Sequence, residues 1–397
     1  MAIGIRLENT ILPQLLPARL PRTLAILWAA SMVLGLIGLA MRLLRGHADA
    51  GYGSYVPWGL WVGLYFHGVG IAGGAFLIGS IGYVFNITGF ADKKDLRTVI
   101  VLSAAAILSG FMGVGFDLGH MDRAHYIFTS PSFTSMMAYN AWMYNAFIVL
   151  AGFCWLLTFL PKTEWLKPLL FLGILFSFLF PSQSGAFFAV VVTNSYWHNP
   201  LLIFLFLTSA ITVGTAALAL LRWYVSEGTA ADDRSLLILR WITLGGVCFY
   251  FLLEFGELAL HFWNPQSHEP AIDMLLTGPY WWMFWLVHLA GGLAAFILLA
   301  WPKQTAWMWG SLLVVLTFIS GRLNILIPGQ SAAELEGLQE AYQHARLTYL
   351  YFPTFFEYLV GFLMLGVAMT IVFAGIALSR MVALYIEPWI QKRWSRL

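Results

Sequence analysis

Ten runs of about twenty apolar residues, separated by short polar stretches, leave this chain few ways to fold. A run of that length is at home in lipid, where its backbone N–H and C=O groups must be satisfied within the run, as in an α-helix. The runs are 22–44, 56–87, 98–119, 136–160, 166–191, 198–224, 236–261, 278–301, 306–327 and 353–379. Of 397 residues, 60% are hydrophobic and 10% charged, against about a quarter charged in soluble domains. Mean hydropathy is +0.78. A membrane β-barrel needs alternating segments of roughly ten residues, and none are present. The expectation is an all-α polytopic membrane protein with one integral membrane domain over 1–397. The first twenty residues are polar and punctuated by proline, unlike a cleavable signal peptide. A formal charge of +2 without a basic aromatic cluster gives no reason to expect nucleic acid.

The polar stretch 181–198 (Pro-Ser-Gln-Ser-Gly, later Thr-Asn-Ser) predicts a broken helix lining a cavity. Orientation follows from the bias of Lys and Arg toward the cytoplasm. Sixteen of the 21 fall on one side, from Arg6 to Arg396, and only Arg42, Arg45, Arg123, Arg322 and Arg346 on the other. An even number of spans puts both termini on the same side, which this bias makes cytoplasmic. The outer loops 45–55, 120–135, 262–277 and 328–352 are long enough to dock an extracytoplasmic partner, or are loose connectors. The last holds Glu334, Glu336, Glu340 and His344 and reads as a short amphipathic helix.

Ionisable residues inside the spans collect in their outer halves. His67 lies partway down span two, on a face with Gly59, Gly63, Gly70 and Gly74 that lets a neighbouring helix or a flat ligand come close. An imidazole at that depth is costly unless it faces a partner. Asp117 closes span three just before His120. A quinol that loses two electrons also sheds two protons, so its site needs hydrogen-bond partners and an acceptor titrating near neutrality. His67, Asp117 and His120 fit that need, with Tyr65, Asn140 and Tyr144 lining the site and Arg123 shaping its mouth. The plainer reading pairs Asp117 with Arg123 to fix a loop and has His67 bond a neighbouring helix. Glu254, Glu257, His261, His288, Arg322 and Glu357 form a second polar set in the later spans, either a proton path or a buried ion-pair network. Spans three and seven each end in a carboxylate followed by histidine, as in a parallel repeat. His67, His261 and His288 lack partners at haem-bracketing spacing. Cys154 and Cys248 cannot ligate an iron–sulfur cluster. The charge-poor inner half also argues against an alternating-access carrier.

The stretch Tyr55-Val56-Pro57-Trp58-Gly59-Leu60-Trp61 with its glycine-rich continuation resembles the NrfD/PsrC family of quinone-interacting membrane subunits. Asp117-Leu118-Gly119-His120-Met121-Asp122-Arg123, Gly278-Pro279-Tyr280, Arg322-Leu323-Asn324 with Pro328-Gly329, and Pro353-Thr354-Phe355-Phe356-Glu357 agree in order and spacing. The resemblance covers spans two to ten, and the length is similar to the longer ten-span branch (DsrP-, HmcC- and ActC-like). It implies two four-helix bundles, spans two to five (56–191) and six to nine (198–327), flanked by spans one (22–44) and ten (353–379). It implies a quinone site (menaquinone or ubiquinone) among the early spans, and no haem or iron–sulfur cluster in this chain. The implied partner is a ferredoxin-like iron–sulfur subunit, with a molybdopterin or multihaem cytochrome subunit beyond it. The implied place is the cytoplasmic membrane of a bacterium or archaeon, in a complex rather than as an enzyme alone. Ser135-Met136-Met137-Ala138-Tyr139-Asn140 departs from the family's usual Trp-Gly pair, so Asn140 is read as a substitute ligand. The alternative is a membrane anchor or proton-conducting subunit that binds no quinone in its early bundle.

Overall fold

The computed structural model describes residues 22–161, 163–226, 228–263, 269–333, 335, 337–342, 344 and 347–394. Glu334, Glu336 and Arg346 of the last outer loop lie outside them. Among the described residues, ten helices are long and apolar enough to cross a membrane. They are α1 (Arg22–Arg45), α2 (Leu60–Val84), α3 (Lys93–Asp117), α4 (Met136–Leu157) and α5 (Leu166–Ala189). Then come α6 (Leu201–Val225), α7 (Ala230–Trp263), α8 (Met283–Ala300), α9 (Gln304–Ser331) and α10 (Phe355–Met381). The described residues hold no strand, and the chain is a multi-pass membrane protein.

Sequence chemistry sets the helix starts. The Ser135 hydroxyl accepts from Ala138 N at 3.3 Å and caps α4. Thr354-x-x-Glu357 makes a reciprocal capping box at α10. Pro181 sits inside α5, which runs unbroken to Ala189, so the expected broken helix at 181–198 is not found. Its polar residues are satisfied within the helix: Ser182 and Ser184 donate to the carbonyls of Phe178 and Phe180, four residues back. The interruptions fall elsewhere. Met283–Ala290 of α8 is π-helical, and α9 breaks at Phe318.

α2 is the central helix, packed on α3, α5 and α6, and the ring α2–α5 closes through α4. A second ring, α6–α9, meets the first along α2, α5 and α6. The α2–α6 seam is made at backbone distance: a Cβ on Gly214 would lie 2.6 Å from the Gly74 Cα. The glycine face is also where expected, with Gly63 against Leu323 and Gly70 against Arg322 and Ala210. α10 packs on α1 and α3, where Gly35 and Gly38 of α1 meet the backbone of Leu363 and Leu359. Large apolar side chains such as Val33, Val149, Leu175, Leu252 and Leu293 are exposed on the outside of both rings, as a lipid-facing surface requires.

Candidate functional site

A cavity of about 590 Å³ lies between the two rings, walled by α2, α3, α8, α9 and α10. Its lining is almost wholly apolar. Tyr280 and Tyr351 line it toward the Asp117 end of the molecule, and Ala217 and Val372 toward the Arg97 end. The polar groups between are His67, Ser109 and Ser320. His67 is buried, with the Val315 backbone of α9 and the Arg322 guanidinium close by. The imidazole thus lies against α9 and also lines the cavity.

Tyr65, Asn140 and Tyr144 do not join His67. Tyr65 is two residues away, roughly 200° around the helix, and packs toward α3 and α4. Its ring lies 6.1 Å from that of Tyr144, whose hydroxyl is 2.9 Å from Ser184 Oγ. Asn140 is buried on the same side, its Oδ1 without a partner.

Asp117 also stands apart from His67, on the α1 and α10 side of α3. Arg42 of α1 donates to the flanking carbonyls of Phe116 at 2.8 Å and Leu118 at 2.9 Å. The Tyr52 hydroxyl faces the Asp117 carboxylate, yet Tyr52 Oη and Asp117 Oδ1 are both buried without a well-formed hydrogen bond. Burial, then the Asp117 and Glu357 carboxylates, push the Tyr52 hydroxyl far above its ordinary value. Burial and the Arg42 charge hold His47, beside Tyr52, below the usual histidine range. His120 and Arg123 are exposed beyond the helix end, His120 lying 3.7 Å from Asp122, so neither shapes a mouth around His67.

Glu357 belongs with this group and not with the later spans, where the sequence reading put it. Its carboxylate accepts from Gly51 N at 3.0 Å, Thr354 N at 2.9 Å and the Tyr351 hydroxyl. Tyr351 also accepts from Leu60 N at 2.7 Å and lines the cavity. One hydroxyl thus joins the cavity to the buried carboxylates. Burial and Glu357 raise Tyr351 well above an ordinary tyrosine.

The later set is partly assembled. His288, in the π-helical segment, holds Glu254 at 3.0 Å through Nε2 and Ser320 Oγ at 3.0 Å through Nδ1. Glu257 accepts from Asn199 Nδ2 at 3.0 Å. His261 lies 3.5 Å from Asp273, further along α7. Glu254, Glu257, Tyr196, Tyr250 and Asn324 border a small void of about 20 Å³, enough for one water. Both polar atoms of the Asn324 side chain are buried there without a partner. Arg322 lies instead in the seam between the rings. It donates to Phe206 O at 3.1 Å, stacks 4.0 Å from the Phe206 ring, and has no carboxylate partner among the described residues.

Residues 50–334 match the family described as "Polysulphide reductase, NrfD". The chain belongs to the NrfD family. Relatives share about a quarter of their residues over most of their length. A selenate reductase subunit of Mesobacillus selenatarsenatis is 24% identical over 85% of this chain and 90% of its own. The Hdr-like menaquinol oxidoreductase integral membrane subunit of Archaeoglobus fulgidus is 25% identical over 84% and 87%. A putative dimethyl sulfoxide reductase membrane subunit of Halobacterium salinarum is 25% identical over 88% of each.

In this NrfD-family chain, sequence reasoning missed Tyr52, Tyr351 and Ser320, and singled out Tyr280 and Asn324 as motif residues without placing them beside a cavity. For Tyr351 a signal was present. Thr354-x-x-Glu357 before an apolar run spells a capping box, which ties Glu357 to the loop carrying Tyr351. Tyr351→Phe should destabilise the fold by about 2 kcal/mol, because Leu60 N loses its acceptor and Glu357 a donor. A thermal melt in detergent checks this.

Proposed function

We propose that this chain is the quinone-reactive membrane subunit of an oxidoreductase complex, with the cavity between the rings as its quinone site. The observation that carries this reading is an apolar chamber with His67 in its wall and Tyr351 joining it to buried carboxylates. Its volume falls within the roughly 300–1,000 Å³ typical of ligand pockets, and its lining suits a ring with an isoprenoid tail. The name of the Archaeoglobus relative points to menaquinol. A bound quinol supplies two electrons and two protons. His67, Ser109 and Ser320 are the groups placed to hydrogen-bond its ring oxygens. Tyr351 and Glu357 begin one route along which a proton can leave, with the Tyr52 and Asp117 side chains beyond them, and Ser320, His288 and Glu254 form another. Electrons are exchanged with a partner subunit, Cys154 and Cys248 lying on separate helices. That partner is a ferredoxin-like iron–sulfur subunit docked at the Asp117 end, with a molybdopterin or multihaem subunit behind it. The Lys and Arg bias puts that end outside the cytoplasmic membrane and both termini inside.

The test is turnover of the assembled complex with quinone and, separately, with an artificial donor to the partner. His67→Ala and Asp117→Asn should each cut quinone-linked turnover by about 100-fold or more and leave artificial-donor activity unchanged. Normal quinone turnover in His67→Ala would reject the chamber. A second reading, a proton-conducting subunit without quinone, is favoured by the void beside Glu257 and Asn324. Proton uptake into liposomes that disappears in Glu257→Gln, with no quinone dependence, would select it.

A further inference from the structure

At the end of the molecule opposite Asp117, a pocket of about 290 Å³ opens between the start of α3, the last residue of α6 and the end of α10. Lys94, Arg97 and Arg380 line it with Thr98 and Ser379, and no acidic side chain does. The other walls, Val225, Ile376, Ala383 and Leu384, are apolar. Neither redox reading uses this pocket.

Arg97 is held rigidly in place. Its Nε donates to Thr158 Oγ1 at 2.9 Å, and one terminal nitrogen reaches Thr158 O and Glu387 Oε2, both at 2.9 Å. The Phe159 ring lies 3.9 Å from its guanidinium. A cation fixed this way shares its charge with Glu387, and its remaining N–H groups can take a further anionic oxygen with little ordering cost. Across the pocket, α10 passes into a π-helical turn at Val382–Ile386, which carries Ala383 and Leu384.

The depth of the pocket is marked by aromatic side chains. Tyr385 and Trp389, just beyond it, are exposed, as aromatics at the headgroup level of a bilayer are. Leu378 and Met381 are exposed on the same stretch of α10. The pocket is also separate from the quinone chamber: a Cβ on Gly375 would lie 2.6 Å from Val101, so α3 and α10 touch between the two. Several cations, two hydroxyls and an apolar wall at headgroup depth match an amphiphile whose polar part is an anion. A free phosphate would have no use for the apolar wall.

We propose that this pocket binds the phosphodiester headgroup of an anionic phospholipid, with the acyl chains lying along α10. The probes are phosphatidylglycerol and phosphatidylcholine of matched chains, titrated onto the full-length chain, in its complex where it has one, and read by native mass spectrometry. Phosphatidylglycerol should be retained about tenfold more strongly. Lys94→Gln or Arg380→Gln alone should reduce that preference about fivefold, and the two together should abolish it. Millimolar inorganic phosphate should not displace the lipid. Gel filtration verifies that each variant is folded, and the single variants serve if the double one is not. Equal retention of the two lipids by the unaltered chain, or an undiminished preference in the folded variants, overturns the proposal. Displacement by inorganic phosphate overturns it in favour of a free-anion site.

Discussion

Gly74→Val should leave almost no folded, monodisperse protein in detergent. A Cβ at Gly74 would already press on the Ala210 backbone and come within 3.0 Å of the Ile211 Cα. Valine adds two methyl groups beyond that point, and no flexible side chain stands there to move aside. The α2 and α6 axes would have to separate, pulling Gly63 away from Leu323 and Gly70 away from Arg322. We expect a cost of about 3 kcal/mol, at the upper end for overpacking and a large part of a marginal folding free energy. Gly115→Val is the matched control, because nothing lies within 4 Å of a Cβ there. If the two variants melt alike, backbone contact is not what joins the rings.

Glu254→Ala should be nearly as damaging, costing about 3 kcal/mol, because it leaves a buried imidazole nitrogen without its hydrogen-bond partner. His288 is fully buried and Glu254 nearly so, their side chains 0% and 12% exposed. Replacing both with leucine should return most of the stability, since no buried polar group is then left without a partner. Quinone-linked turnover of the assembled complex separates the two roles of the pair. Ser320 both lines the chamber and bonds His288, so a leucine pair would end any proton transfer along that line. We expect a stable double variant whose turnover stays down by about tenfold or more. Recovery of both quantities would make the pair a structural brace.

The ten spans were legible because length and hydropathy alone decide what crosses a bilayer. The glycine face of α2 was legible too, since a spacing of three or four fixes a helix face whatever packs against it. Which side chains meet was harder to read. Tyr65 and His67 are neighbours in sequence and opposites on the helix, and grouping them overlooked that rotation. Glu357 was assigned to the later spans by its depth, whereas its hydrogen bonds run to Gly51, Tyr351 and Thr354 on connecting segments without hydropathy periodicity. The π-helical turn that presents His288 has no marker in the local sequence. Arg322 pointed inward as expected, but its partners, the Phe206 ring and carbonyl, carry no charge to predict them by.

Where α2 meets α6, glycine and alanine bring the two backbones together with no side chain between them at that point. A seam that tight leaves no gap along its length, so a molecule seated in the cavity would have to come in from the lipid side.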